Sequence, residues 1–397
     1  MRADFMFTSE SVTAGHPDKL CDQISDAIVD HFLERDPYAR IVAECAVATG
    51  VIFIAAHFAS TAVVDIPEVA RGVIRHAGYL AGEFNADDCT ILTNVRELSP
   101  PDGPVIDEAR MTEEELDRLV ARDQVTVFGF ACNQSPALLP LPIYLAHRLA
   151  WRLADVRQRR DLTYLSHDGK TQVGIEYRDR APARIHSITL TAAQLRSDRP
   201  DAATLRDELM DHVIWPALED QPLRPDNNTH IFVNPGGVLV GGGPAVHAGL
   251  TGRKTAIDTY GEYCRHSGAA LSGKDPGRID RIGAYAARYA AKNVVAAGLA
   301  RECEVQLSYA IGQAAPISVQ VETFGSGCID DDEIARRLQA HIDFRVGGII
   351  RQFGLRRIPT HTQNFYQRLA AYGHVGRLDV NLPWEKTDNV DGMRARD

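Results

Sequence analysis

The chain has 397 residues, 45% of them hydrophobic, which is enough for two or three ordinary domains, each with its own core. Its formal charge of −10 at pH 7 excludes a nonspecific nucleic-acid binder, because phosphate backbones are held by clustered Lys and Arg; any phosphate handling must be local. Cys21, Cys45, Cys89, Cys132, Cys264, Cys303 and Cys328 are odd in number, scattered and without a CxxC pair, so they read as buried thiols of a reducing compartment. The N-terminal MRADFMFTSESVTAGHPDK has no apolar core behind its early charges, and no later stretch reaches the roughly 20 apolar residues of a membrane span. The expectation is a cytoplasmic protein with no membrane partner.

In chain order, Pro17 suits the first position of a helix, and Leu20, Ile24, Ala27, Ile28 and Phe32 recur at helical spacing behind it. Residues 15–19 then form a loop feeding a helix start. The run IVAECAVATGVIFIAAHF from Ile41 is rich in β-branched residues and broken at Thr49-Gly50, which predicts two strands in a hairpin. A helix follows over Pro67–Leu80. Strand and helix patterns return at 172–177, 203–215, 230–233, 279–297 and 304–323, the texture of repeated α+β units. Residues 97–112, with Pro100, Pro101, Gly103 and Pro104, read as a candidate gating loop or a surface connector, and 194–204 as a linker.

Five segments carry chemistry. GHPDK places His16, Asp18 and Lys19 at a helix start, where free N–H groups favour anions; His can assist a leaving phosphate oxygen, and Asp can hold Mg²⁺. GGGPAVHAGLTGRKTAID sets glycines ahead of Arg253 and Lys254, a pairing suited to a polyphosphate. SGAALSGKDPGRID gathers Lys274, Asp275, Arg278 and Asp280, although Asp275 after the lysine breaks the GxxxxGK[ST] pattern. HDGKTQVGIEY puts Lys170 at the entry to a strand, and ARDQVTVFGFACN brings Asp123 and Gln124 to the start of another. Each alone is equally a polar turn.

Together and in this order, from FTSESVTAGHPDK to AAYGHVGR and PWEKTD, and including RIGAYAARYAAKNVVAAGLA and QLSYAIG, they resemble the S-adenosylmethionine synthetase family over nearly the whole chain. The resemblance implies an α+β fold of three similar domains, each a sheet packed with helices, here expected at 1–105, 106–238 and 239–397 with strands exchanged between them. It also implies a homodimer or dimer of dimers with active sites at the interface. The reaction it implies is attack of the methionine thioether on C5′ of ATP, expelling triphosphate that is then cleaved to pyrophosphate and phosphate. Carried over by position, His16 assists departure of the triphosphate; Lys170, Arg253, Lys254 and Lys274 hold it; Asp123, Asp168 and Ala270 belong to the ATP pocket. Asp18 and Asp280 bind Mg²⁺, two ions per site, and Glu44 binds K⁺.

Departures from the family pattern cluster on the adenine and methionine sides. Val120-Ala121-Arg122-Asp123-Gln124-Val125 loses three glycines, Leu271 replaces a Phe, and Leu239 stands where an aromatic would stack on adenine, behind Val238 in place of Arg. In the nucleophile pocket, His57 and His247 stand for two acids, Leu98 for a Gln and Arg278 for a Lys. Losing both acids removes negative charge that an ammonium would need. Three readings follow: methionine is still the nucleophile, another thioether or related nucleophile is used, or the chain is a non-catalytic regulatory paralogue.

Overall fold

The computed structural model describes residues 4–394 apart from 80–83, 100–106, 196 and 198. Its strands are β1 Phe5–Val12, β2 Arg40–Ala48, β3 Val51–Ala59, β4 Thr90–Glu97, β5 Val125–Cys132, β6 Leu165–Arg178, β7 Ala181–Gln194, β8 His230–Val233, β9 Gly249–Leu250, β10 Glu302–Tyr309 and β11 Ser318–Glu322. The helices are α1 Pro17–Arg35, α2 Ile66–Ala77, α3 Glu113–Leu116, α4 Leu141–Gln158, α5 Ala202–Leu209, α6 Trp215–Leu218, α7 Thr255–Asp258, α8 Ile279–Ala296, α9 Asp331–His341, α10 Val346–Phe353, α11 Phe365–Leu369 and α12 Val390–Arg394. No described helix is long and apolar enough to cross a membrane.

The strands form three sheets, ordered β4-β3-β2-β9, β1-β6-β7-β8 and β11-β10-β5. Each sheet borrows a strand from elsewhere in the chain: β1 pairs antiparallel with β6, β9 with β2, and β5 with β10. Three sheets packed with helices make this the α+β architecture that the resemblance implies.

The expected β2–β3 hairpin is present, turning at Thr49 with φ +53° and Gly50. The pattern at 230–233 is β8, and that at 304–323 splits into β10 and β11. The helix expected over 203–215 is interrupted, because Met210–Ile214 forms a π-helical turn between α5 and α6. Lys170 lies well inside β6, which starts at Leu165, rather than at its entry. Of the cysteines, Cys264 is half-buried and Cys328 exposed, so the uniform reading of buried thiols fails at two positions. Both lie on connecting loops, where spacing gives no burial signal.

Helix α1 is not amphipathic in the usual sense, since nearly every side chain from Pro17 to Asp30 is buried. Leu20, Ile24, Ile28 and Phe32 pack into the apolar core, while Asp18, Asp22, Asp26 and Asp30, four residues apart, line one helical face. Between them the carboxylates of that stripe hold three segments of the chain. Asp18 accepts the Leu250 N–H at 3.0 Å, Asp22 that of Gly252 at 2.8 Å, and Asp26 that of Gly273 at 2.8 Å. Asp30 accepts those of Tyr366 at 3.0 Å and Gln367 at 2.9 Å. Asp26 also forms a two-pronged pair with buried Arg281 of α8, both contacts 2.8 Å, and Lys19 is clamped between Asp22 and Asp258. Helix α8 lies directly on β5, because a Cβ at Gly129 would strike the Ala287 carbonyl.

Candidate active site

The predicted residues fall into three groups, and helix α1 sets the spacing of the first two. Asp18 and Asp26 are eight residues apart, about 12 Å along the helix axis, so the loops each carboxylate tethers are held at that separation.

The first group surrounds the start of α1. His16 is its N-cap, with Nδ1 accepting the Asp18 N–H at 3.2 Å and lying 3.8 Å from Asp18 Oδ2. Lys254 Nζ approaches Asp18 Oδ2 at 2.8 Å, and Arg253 lies 3.6 Å from Oδ1. Asp168, from β6, accepts the Gly243 N–H at 3.0 Å and pairs with His247 Nε2 at 2.7 Å. The His247 ring stands against that of His16, centroids 5.1 Å apart. Lys170 is exposed two residues on from Asp168, on the same face of the strand, and its charge acts on His16.

Electrostatics fixes the protonation states here. Burial outweighs the pull of Asp168 and Asp18 and lowers His16 to about 4, so the imidazole is neutral at pH 7 and can donate a hydrogen bond but not act as a standing cation. Burial alone would raise Asp18, but the Lys254 ammonium and the Leu250 amide prevail and hold it below the usual carboxylate range. Asp168 likewise stays low against its burial, through His247, His16 and the Gly243 amide.

The second group follows the Gly273 turn. Gly273 has φ +80°, and a Cβ there would collide with the Ala43 carbonyl, so the loop presses against β2. Lys274 reaches Asp280 Oδ1 at 3.0 Å, while buried Asp280 Oδ2 has no hydrogen-bond partner among the described residues. Arg278 faces Asp123 at 3.8 Å. Ala270 lies against Gly252, joining this loop to that of Arg253 and Lys254. Arg122, one of the departures from the glycine-rich pattern, bonds Asp275 at 2.9 Å, and Asp275 in turn accepts the Ile41 N–H at 3.0 Å. That substitution replaces loop freedom with a tether.

The third group lies on the open face of the β4-β3-β2-β9 sheet, where Val42 of β2 pairs with His57 on one side and bridges Lys274 on the other. Glu44 on β2 and His57 on β3 are both exposed there, and Leu98, just beyond β4, is 41% exposed. The structure therefore joins His247 to Asp168 and His16, and leaves His57 and Leu98 on the sheet. Of the proposed gating segment, 100–106 lie outside the described residues. Glu97 ends β4, and 107–110 is tied down by Arg357 to Asp107 and by Arg356 to Glu108 at 2.7 Å. Leu239 is half-buried, its carbonyl accepting the Gln194 N–H at 2.8 Å, and Val238 is 58% exposed.

Sequence reasoning passed over Asp22, Asp26 and Asp30 of the α1 stripe and the partners Arg281 and Asp258, and named Lys19 only as part of the anion-favouring turn. The signal was present as Asp at every fourth position, but such a row ordinarily marks a solvated face. The C-terminal motifs are anchors: His374 bonds the Tyr285 hydroxyl at 2.8 Å, and Trp384 stacks on Tyr285 with centroids 3.8 Å apart.

Fold and site together define the class: a three-sheet α+β protein whose polar site is strung along one buried acidic helix. Family models match all three parts of the chain. The N-terminal domain of S-adenosylmethionine synthetase matches residues 4–100, the central domain 118–239 and the C-terminal domain 241–386. Full-length relatives agree. The S-adenosylmethionine synthase of Gloeothece citriformis is 47% identical over 403 residues, covering 98% of this chain and 96% of that protein. That of Synechococcus elongatus is 46% identical over 408 residues, covering 99% and 98%. The chain belongs to the S-adenosylmethionine synthetase family.

Proposed function

We propose that this protein transfers the adenosyl group of ATP to the sulfur of methionine, giving S-adenosylmethionine, and cleaves the expelled triphosphate to pyrophosphate and phosphate. The observation that carries the reading is the convergence of Lys254 and Arg253 on Asp18 beside neutral His16, with Lys274 on Asp280 of α8 in the loop that Asp26 of α1 holds. A triphosphate leaves readily only where its developing charge is met by preorganised donors. Lys170, Arg253, Lys254 and Lys274 supply that charge, and His16 contributes a hydrogen bond from its imidazole N–H. Asp123, Asp168 and Ala270 line the nucleotide pocket.

The residues fit Mg²⁺: Asp280 Oδ2 is a buried carboxylate oxygen with no partner among the described residues, and Asp18 holds its lysine through an oxygen that Lys254 can release to phosphate. When bound, two such ions would neutralise the polyphosphate. Glu44 offers one exposed carboxylate toward K⁺, a set that oxygens of a second copy would complete.

The second copy is part of the proposal. The exposed face of the β4-β3-β2-β9 sheet presents Val51, Phe53, Leu92 and Leu250, each at least 44% exposed, around Glu44 and His57. Exposed apolar side chains grouped on one sheet face favour burial against another protein surface. A homodimer, or a pair of such dimers, would bring Glu44, His57 and Leu98 of one protomer against the polyphosphate groups of its partner. Incubation with ATP, Mg²⁺, K⁺ and methionine should yield S-adenosylmethionine by mass spectrometry. If adenosyl transfer appears only with another thioether, the nucleophile assignment is wrong while the phosphate half stands.

A further inference from the structure

We infer that His16, Asp168 and His247 form a binding site for one divalent ion of the zinc class, distinct in ligand chemistry from the oxygen ligands Asp18 and Asp280. One ligand atom from each of the three side chains lies within 4.8 Å of the others. Asp168 is 5% exposed, and its Oδ1 has no hydrogen-bond partner among the described residues, so a buried anionic oxygen is left for a ligand to satisfy. Two imidazoles and one carboxylate suit Zn²⁺, Co²⁺ or Ni²⁺ far better than Mg²⁺, which prefers an all-oxygen octahedron. Three protein ligands also leave a fourth tetrahedral position open to water or a phosphate oxygen.

The surroundings meet the outer-shell requirement as well. A ligating imidazole carries its proton on the nitrogen facing away from the metal, usually toward a carboxylate. His16 Nδ1 accepts the Asp18 N–H at 3.2 Å, so the ring proton sits on Nε2 before an ion binds; coordination through Nε2 moves it to Nδ1, 3.8 Å from Asp18 Oδ2, in place of that hydrogen bond. The Asp168 wall is held close by Gly242, where a Cβ would meet the Asp168 side chain. His247 is the decisive member: it brings the second imidazole, and an acid at that position would leave an oxygen-rich pair instead. Because His16 serves the leaving triphosphate in the function proposed above, an ion held there would inhibit adenosyl transfer. That consequence alone rests on the functional reading; the binding does not.

The test uses the full-length protein without substrates, in excess Mg²⁺, titrated with Co²⁺ by visible spectroscopy and with Zn²⁺ by calorimetry. One ion per chain is expected, with d–d bands of a nitrogen and oxygen tetrahedral site. His247→Ala and Asp168→Asn, confirmed folded by circular dichroism, should each weaken binding by roughly 10-fold or more. Equal affinity in His247→Ala would overturn the site, as would a sulfur-to-cobalt charge-transfer band, which would place the ion on Cys264 or Cys328. Full S-adenosylmethionine synthesis with the ion bound would overturn the inhibitory role while leaving the site.

Discussion

His16 shows how position decides chemistry for a single side chain. In water an imidazole titrates near pH 6.5; capping α1 in a buried turn, it is lowered to about 4 by burial. It is therefore neutral across the physiological range, and the contribution to catalysis proposed for it is a directed N–H. His16→Ala should lower kcat for S-adenosylmethionine formation by about 10²–10³, the cost of one preorganised donor. The pH–rate profile of the unaltered enzyme should show no inflection from this residue between pH 6 and 8. An inflection in that range that vanishes in His16→Ala would refute the neutral-donor role. The family motif around His16 is visible in the sequence, but its partnership with Asp168 and His247 is not, because 152 and 231 residues of chain separate them.

Among the elements, α1 does most to organise the site. A helix with Asp at every fourth position reads as half-solvated, yet here the stripe is buried and every carboxylate is engaged by loop amides or cations. The stripe spaces the loops that carry Lys254 and Lys274. Asp26→Ala would leave Arg281, fully buried over the Tyr366 ring, without its counter-charge. The expected loss is about 3–5 kcal/mol of stability, read from the urea midpoint at unchanged slope. Exposed pairs such as Arg75–Glu68 should by contrast lose little stability, because solvent screens them. A loss that small at Asp26 would mean the stripe does not organise the site.

At the scale of the whole molecule, two properties can be measured. The open face of the β4-β3-β2-β9 sheet should carry the dimer, so Phe53→Glu with Leu92→Glu should give monomers in sedimentation and abolish adenosyl transfer. A still-dimeric double variant would move the interface elsewhere. The fold should also be acid-labile through its buried histidines. Burial lowers His147 to about 3 and His374 well below the ordinary value, so each is neutral when folded and protonates more easily when unfolded. Their stabilising contribution is complete above pH 6.5 and is lost as pH falls towards the folded values. The melting temperature should therefore drop steadily below pH 6.5, and His147→Gln should flatten that slope.

The sequence by itself determined the family, the α+β class, the β2–β3 hairpin, and the starts of α1 and α8, because these depend on local pattern: Pro17 at a helix start, alternating β-branched residues, a Thr-Gly break. It also supplied the cations and acids of the proposed polyphosphate site. Only the tertiary structure decided that His247 pairs with Asp168 while His57 lies on an open sheet face, that Arg122 ties down the Asp275 loop, and that the Asp stripe of α1 is buried. Those outcomes depend on strands exchanged between distant parts of the chain and on what each side chain meets after packing, and neither spacing nor residue type encodes which partner will be there.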